Sequence, residues 1–138
     1  MRISIRPLFP LLALLAVLGA CTNTTPPATS PWSEVGISDF RNIAGQWEGL
    51  MRRTPEMRND DWVQVAIRDD GMYEFKSFRT IGVLSGRGQL TLNQGKATRS
   101  TDQGQLTFIL YEANGARMLR ARATKEGIEY ASDLTPAK

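Results

Sequence analysis

The chain has 138 residues, 41% of them apolar, with 17 basic and 14 acidic side chains; at roughly 100 to 200 residues per domain this is room for one folded unit and not for two. Fourteen of the first 20 residues are apolar and include no acid, while Arg2 and Arg6 also lie there, so the remainder holds 15 basic against 14 acidic residues and gives no electrostatic case for a nucleic-acid partner. With no histidine and a single cysteine, Ser-His triads, histidine acid/base chemistry, Cys/His zinc sites and internal disulfides are excluded.

Arg2 and Arg6 precede the apolar run Leu8 to Leu18, which Pro10 interrupts. Eleven residues are about half of the roughly 20 needed to cross a bilayer as a helix, so residues 1–20 read as a signal peptide and not as a membrane span. The run ends in Leu18-Gly19-Ala20-Cys21, with small residues just before the cysteine. This order of charged start, short apolar core and Cys21 resembles the lipobox of bacterial lipoproteins. The resemblance implies cleavage before Cys21 and acylation of its thiol with diacylglycerol of the palmitate type. At about 0.8 kcal/mol per buried methylene, several acyl chains would hold the protein durably to a membrane. Thr22, where aspartate would favour inner-membrane retention, implies the outer membrane and a periplasm-facing domain.

From Thr22 to Pro31 the sequence has no charge and almost nothing to bury, so it cannot offset its ordering entropy. Residues 21–37 therefore read as a lipidated N-terminus and tether, whose ten residues from Thr22 to Pro31 span at most roughly 30 Å. A short helix is expected over Ser38 to Ile43, with Ser38 or Asp39 as N-cap and Gly45 as its stop.

After Gly45 the hydrophobic period is two. The first strand is expected near Gln46 to Arg52. In the next, Val63, Val65 and Ile67 alternate with Trp62, Gln64, Ala66 and Arg68, the signature of a strand with one face buried. Asp69-Asp70-Gly71 supplies residues that tolerate positive φ in a hairpin, and Tyr73 and Phe75 resume the alternation from Met72 to Phe78. Further strands are expected over Leu84 to Leu92, Lys96 to Ser100, Gln105 to Glu112, Arg117 to Thr124 and Ile128 to Ser132, separated by glycine-containing turns. Eight short strands in a meander would leave two open edges and a wet apolar face. Closure into a small antiparallel up-and-down barrel removes both, with a two-sheet β-sandwich as the alternative. The domain is placed at 38–134, followed by a tail at 135–138.

Asp39-Phe40, six residues ahead of Gly45-Gln46-Trp47, resembles the opening motif of lipocalins, in which a short helix closes one barrel end and a tryptophan on the first strand plugs its base. The resemblance implies a lipocalin-like, or calycin, architecture. The folded part is shorter than is usual for lipocalins and the usual disulfide is missing.

No catalytic constellation is found, and the protein is expected not to be an enzyme and to need no cofactor or metal. Asp60-Asp61 and Asp69-Asp70 are neighbours whose side chains point apart, and the serines, Ser77 and Ser85 among them, have no histidine to activate them. Side chains expected to point inward include Trp47, Val63, Val65, Ile67, Tyr73, Phe75, Leu84, Leu90, Leu92, Leu106, Phe108, Leu119, Ile128 and Tyr130. Of these, Trp47, Tyr73, Phe75, Phe108 and Tyr130 are the candidate ligand contacts. Gly86, Gly88, Ala121 and Ala123 on the same face either leave room for a ligand or let the strands coil tightly around a filled core. Arg117, Arg120, Arg122 and Lys125, with Arg52, Arg53 and Arg58, either face anionic lipid or an acidic partner or form a solvated strand surface. One arginine is expected to stack on Trp47 at the barrel base, with Arg120 and Arg122 as candidates. The expected function is noncovalent binding of a small apolar or amphiphilic molecule by a membrane-anchored lipoprotein. The alternative is a protein-binding assembly factor or an inhibitor of a periplasmic hydrolase, acting through the loop Thr54 to Asp61.

Overall fold

A computed structural model describes residues 30–54, 61–79 and 82–138, with only the backbone described at residues 79 and 82–84. The expected signal peptide, Cys21 and the tether up to residue 29 lie outside the described residues. So do Asp60 and most of the Thr54 to Asp61 loop.

The described residues form ten antiparallel strands: β1 (Ser33–Val35), β2 (Gly45–Thr54), β3 (Asp61–Ile67), β4 (Met72–Arg79), β5 (Gly82–Gln89), β6 (Thr91–Asn93), β7 (Lys96–Thr101), β8 (Gly104–Ala113), β9 (Ala116–Lys125) and β10 (Ile128–Pro136). They make one sheet in the order β5-β4-β3-β2-β10-β9-β8-β7-β6, with β1 added to β8. The long first and last strands, β2 and β10, pair directly, as in Tyr130 opposite Arg53 and Ser132 opposite Met51. The result is a nearly closed barrel of one continuous sheet, and not two facing sheets.

The eight expected strands are all present, but the count is ten for two reasons. The stretch expected as one strand over Leu84 to Leu92 breaks at Leu90, whose N–H donates to Gly71 O at 2.9 Å. Up to that residue the chain stays with β4; beyond it, β6 turns to pair with β7. Leu92, expected inside, lies past this break and is 38% exposed. The second addition is β1, within the stretch read as tether. It pairs along β8 at Leu110 to Glu112, just beyond the point where β7 pairs Ala97 with Phe108. Thus β1 and β7 lie end to end on one edge of β8, and β1 meets backbone groups that β7 does not reach. The N–H of Ile37 then donates to Gly95 O at 2.8 Å.

The expected helix is a single 3-10 turn, Phe40–Asn42, capped by Asp39. Asp39 Oδ1 accepts from Arg41 N at 2.8 Å, and Asn42 Oδ1 accepts from Asp39 N at 2.9 Å. Both hydrogen bonds are reciprocal caps on the open backbone groups of a helix start. The hairpins follow the sequence chemistry. Asn114-Gly115 and Glu126-Gly127 have positive φ at both residues, the two-residue turn whose twist matches that of antiparallel strands.

The two ends of the sheet, β5 and β6, are consecutive in the chain and leave a seam. Arg99 on β7 spans it: Nη1 donates to Arg87 O on β5 at 2.8 Å and to the Tyr73 hydroxyl on β4 at 3.0 Å. The guanidinium also lies 5.8 Å from the Tyr73 ring centroid, close enough for a cation-π contact. Gly88 is where this side chain passes, and any side chain there would collide with it. A side chain thus stands in for a backbone ladder. Hydrogen bonds to a charged donor contribute about 1.5 to 3 kcal/mol, so Arg99→Ala is expected to lower stability by about that much in urea unfolding and to speed amide exchange in β5 and β7. Unchanged exchange there would show that the seam does not depend on Arg99.

Candidate functional site

The base of the barrel is filled. Ile43, Trp47, Leu90, Ala97, Phe108, Leu110, Leu119 and Leu134 are each at most 2% exposed and belong to one core cluster with Val63, Val65, Ile67 and Tyr73. Trp47 plugs the end. Its Nε1–H donates to Ile43 O at 2.8 Å in a buried position, so the 3-10 turn and the first long strand are tied by a bond that water cannot replace. The arginine over the Trp47 ring is Arg117, at 5.5 Å from the centroid, and not Arg120 or Arg122. On β9, Arg117 shares the inner face with Leu119, whereas Arg120 points outward, pairs with Asp133 at 2.6 and 3.0 Å and lies over Tyr111. Arg117 also donates through Nη2 to Asn42 O, and its Nε lies 3.6 Å from Glu112. One cation therefore joins β8, β9, the tryptophan and the turn.

Two of the expected gaps are occupied from within. Phe75 packs its ring over Gly86, and Arg99 lies over Gly88. Tyr73 and Phe108 meet edge to face at 6.2 Å, a favoured aromatic geometry. These glycines let large neighbours close in and leave no ligand space at their own positions.

The other end, beyond which lie the β2–β3, β4–β5, β7–β8 and β9–β10 connections, differs. There the inward positions Met51, Arg53, Asp61, Leu106, Ala123 and Tyr130 are only half-buried. They come together through the register: Met51 opposite Asp61 and Ser132, Arg53 opposite Tyr130, and Ala123 opposite both Tyr130 and Leu106. These side chains make a ring at the mouth, the cup, with an apolar wall at Leu106 and Ala123 and a polar arc at Arg53, Asp61 and Tyr130, above the buried inward residues Val63, Ser77 and Ser132. Asp61 accepts from the buried Ser77 hydroxyl at 3.5 Å, and Arg53 and Asp61 are both engaged in interactions. Such an arc can orient a polar head while the wall covers a short apolar tail.

Of the candidate ligand contacts, Trp47, Tyr73 and Phe108 are buried in the base, Phe75 is half-buried against Gly86, and Tyr130 stands in the cup. Cys21 is outside the described residues, and nothing is described of the Leu84 side chain. The sequence reading missed Met51, Ser77 and Ser132, although each falls on the inner face of its strand by simple alternation. It also missed Ile37 and Ile43, buried beside the base, which sit outside any strand pattern. Asp69-Asp70-Gly71 is a solvated hairpin, with Asp70 paired to Arg68 at 3.1 Å and accepting from Met72 N. Comparison with known protein families, characterised proteins and solved structures finds no match to this chain.

Two measurements test the base. Arg117→Ala removes the ring contact and the bond to Asn42 O, and is expected to cost about 1 to 3 kcal/mol of unfolding free energy with a shift in Trp47 emission; unchanged emission would show that the stack is not formed. Hydrogen bonds from the Arg41 side chain and backbone hold the Asp39 carboxyl at about 2, below its ordinary 3.8. Its contribution to the cap is complete above the ordinary value and is lost as pH falls through about 2. A carboxyl-detected NMR titration should show this midpoint, and Arg41→Ala should return it towards 3.8.

Proposed function

We propose that this protein is a lipid-anchored lipoprotein of the outer membrane, facing the periplasm, whose lipocalin-like barrel binds one small amphiphile in its open cup without catalysing a reaction. The observation that carries the reading is the contrast between a base filled to exclusion of water and a mouth whose inward side chains keep access to it. A small barrel either fills its interior or holds one small ligand; here the half-buried inward side chains Met51, Arg53, Leu106, Ala123 and Tyr130 lie at the mouth. The apolar tail would lie against Leu106 and Ala123, and its polar head would meet Tyr130 and Arg53. Anchoring rests on the lipobox-like Leu18-Gly19-Ala20-Cys21.

Native mass spectrometry of the protein extracted from bacterial membranes is expected to show a copurifying amphiphile. Filling the cup with Ala123→Trp should weaken dodecanoate or lysophospholipid binding in calorimetry by roughly tenfold or more, equivalent to about 1.4 kcal/mol, while the far-ultraviolet circular dichroism is retained. Wild-type affinity in a folded Ala123→Trp variant would place any binding elsewhere. Cys21→Ser should release the protein from membranes, and retention in that variant would refute the anchor.

A further inference from the structure

The outer wall of the barrel carries an apolar row that packing does not explain. Leu50 on β2, Trp62 on β3 and Phe78 on β4 are 48%, 42% and 40% exposed. They are cross-strand partners, Leu50 opposite Trp62 and Trp62 opposite Phe78, so at the usual strand spacing of about 4.8 Å they form one contiguous patch about 10 Å across. Trp62 and Phe78 each lie within a residue of the strand end at the mouth, on the same end as the cup. Three large apolar side chains side by side in water mark a contact surface.

We propose that this row rests the mouth-end wall of the barrel on a phospholipid bilayer, a docking that rests on the membrane-anchored reading above. Three observations choose lipid over a protein. First, the row lies on the outward face of three adjacent strands of a barrel wall, a convex shape to which a fluid interface conforms. Second, tryptophan and phenylalanine are flanked by exposed Arg52 on the mouth side and Lys76 on the base side, the pairing of aromatic and basic groups that suits the interface with anionic headgroups. The acidic neighbours are Glu48, half-buried on the base side, and Asp133 on β10, which stands beside Leu50 and is paired with Arg120. Third, the reach is sufficient. The chain enters the fold beside the base, where β1 meets β8 at Leu110 to Glu112. The ten-residue β2 rises about 33 Å along itself and, at barrel tilt, stands about 25 Å tall. Residues 22–31 span at most roughly 30 Å, so a lipid on Cys21 reaches the bilayer that the mouth-end wall meets.

The three tryptophans report the orientation. Trp47 is buried, Trp32 lies at the base end and Trp62 lies in the row. The full chain is reconstituted on vesicles of phosphatidylglycerol and phosphatidylethanolamine, with and without brominated acyl chains, at vesicle excess. Quenching is expected in the wild type and in Trp32→Phe, is expected to vanish in Trp62→Phe, and should fall at least threefold in Phe78→Glu, whose fold is checked by circular dichroism. Quenching that vanishes in Trp32→Phe instead would seat the base on the membrane and overturn the proposal. So would undiminished quenching in Phe78→Glu. A chain retained on vesicles but not quenched overturns the docking alone; a chain neither retained nor quenched overturns the docking together with the anchor.

Discussion

The ladder between β2 and β10 converts alternation along the chain into an inside and an outside. Without it, the period-two pattern of each strand would define two faces of a sheet and leave both open to water. With it, Trp47, Val65 and Leu134 share one enclosed space, and their burial drives the fold. The cost of closing so small a sheet appears on the opposite side, between β5 and β7. There the backbone ladder is missing, and the guanidinium of Arg99 holds the wall together through Arg87 O and Tyr73.

Two arginines therefore do related work at different places. Arg117 secures the base by facing Trp47 and binding the 3-10 turn, and Arg99 secures the seam. The planar, multiply donating guanidinium suits both roles, because it can satisfy a carbonyl and lie over an aromatic ring at once. Neither position would be served equally by lysine. With the base and seam fixed this way, the base end of the interior is fully buried, and the half-buried inward side chains Met51, Arg53, Leu106, Ala123 and Tyr130 gather at the mouth.

The placement of large and small residues on the inner face also separates structure from function. Gly86 and Gly88 are small because Phe75 and Arg99 lie on them. Ala121 and Ala123 lie further towards the mouth, both half-buried, with Ala121 packed against the core. Outside, the same end bears Leu50, Trp62 and Phe78, so the cup and the apolar row share one pole of the barrel.

Much of the fold was legible in the sequence because strand alternation and glycine turns are local properties. The hairpins at Asn114-Gly115 and Glu126-Gly127, the buried set Val63, Val65 and Ile67, the Asp39 cap and the inward direction of Trp47 all follow from short stretches. Alternation even placed Arg117 on the face of Leu119, a signal that would have favoured it over Arg120 and Arg122 for the stack on Trp47. The sequence alone could not show the break at Leu90, the pairing of β1 with β8, the seam crossed by Arg99, or which of the small inner residues are overlain. Each depends on partners between 11 and 79 residues away in the chain. Which strand stands opposite which, and how much room is left between them, is set by closure of the whole sheet and by no local propensity.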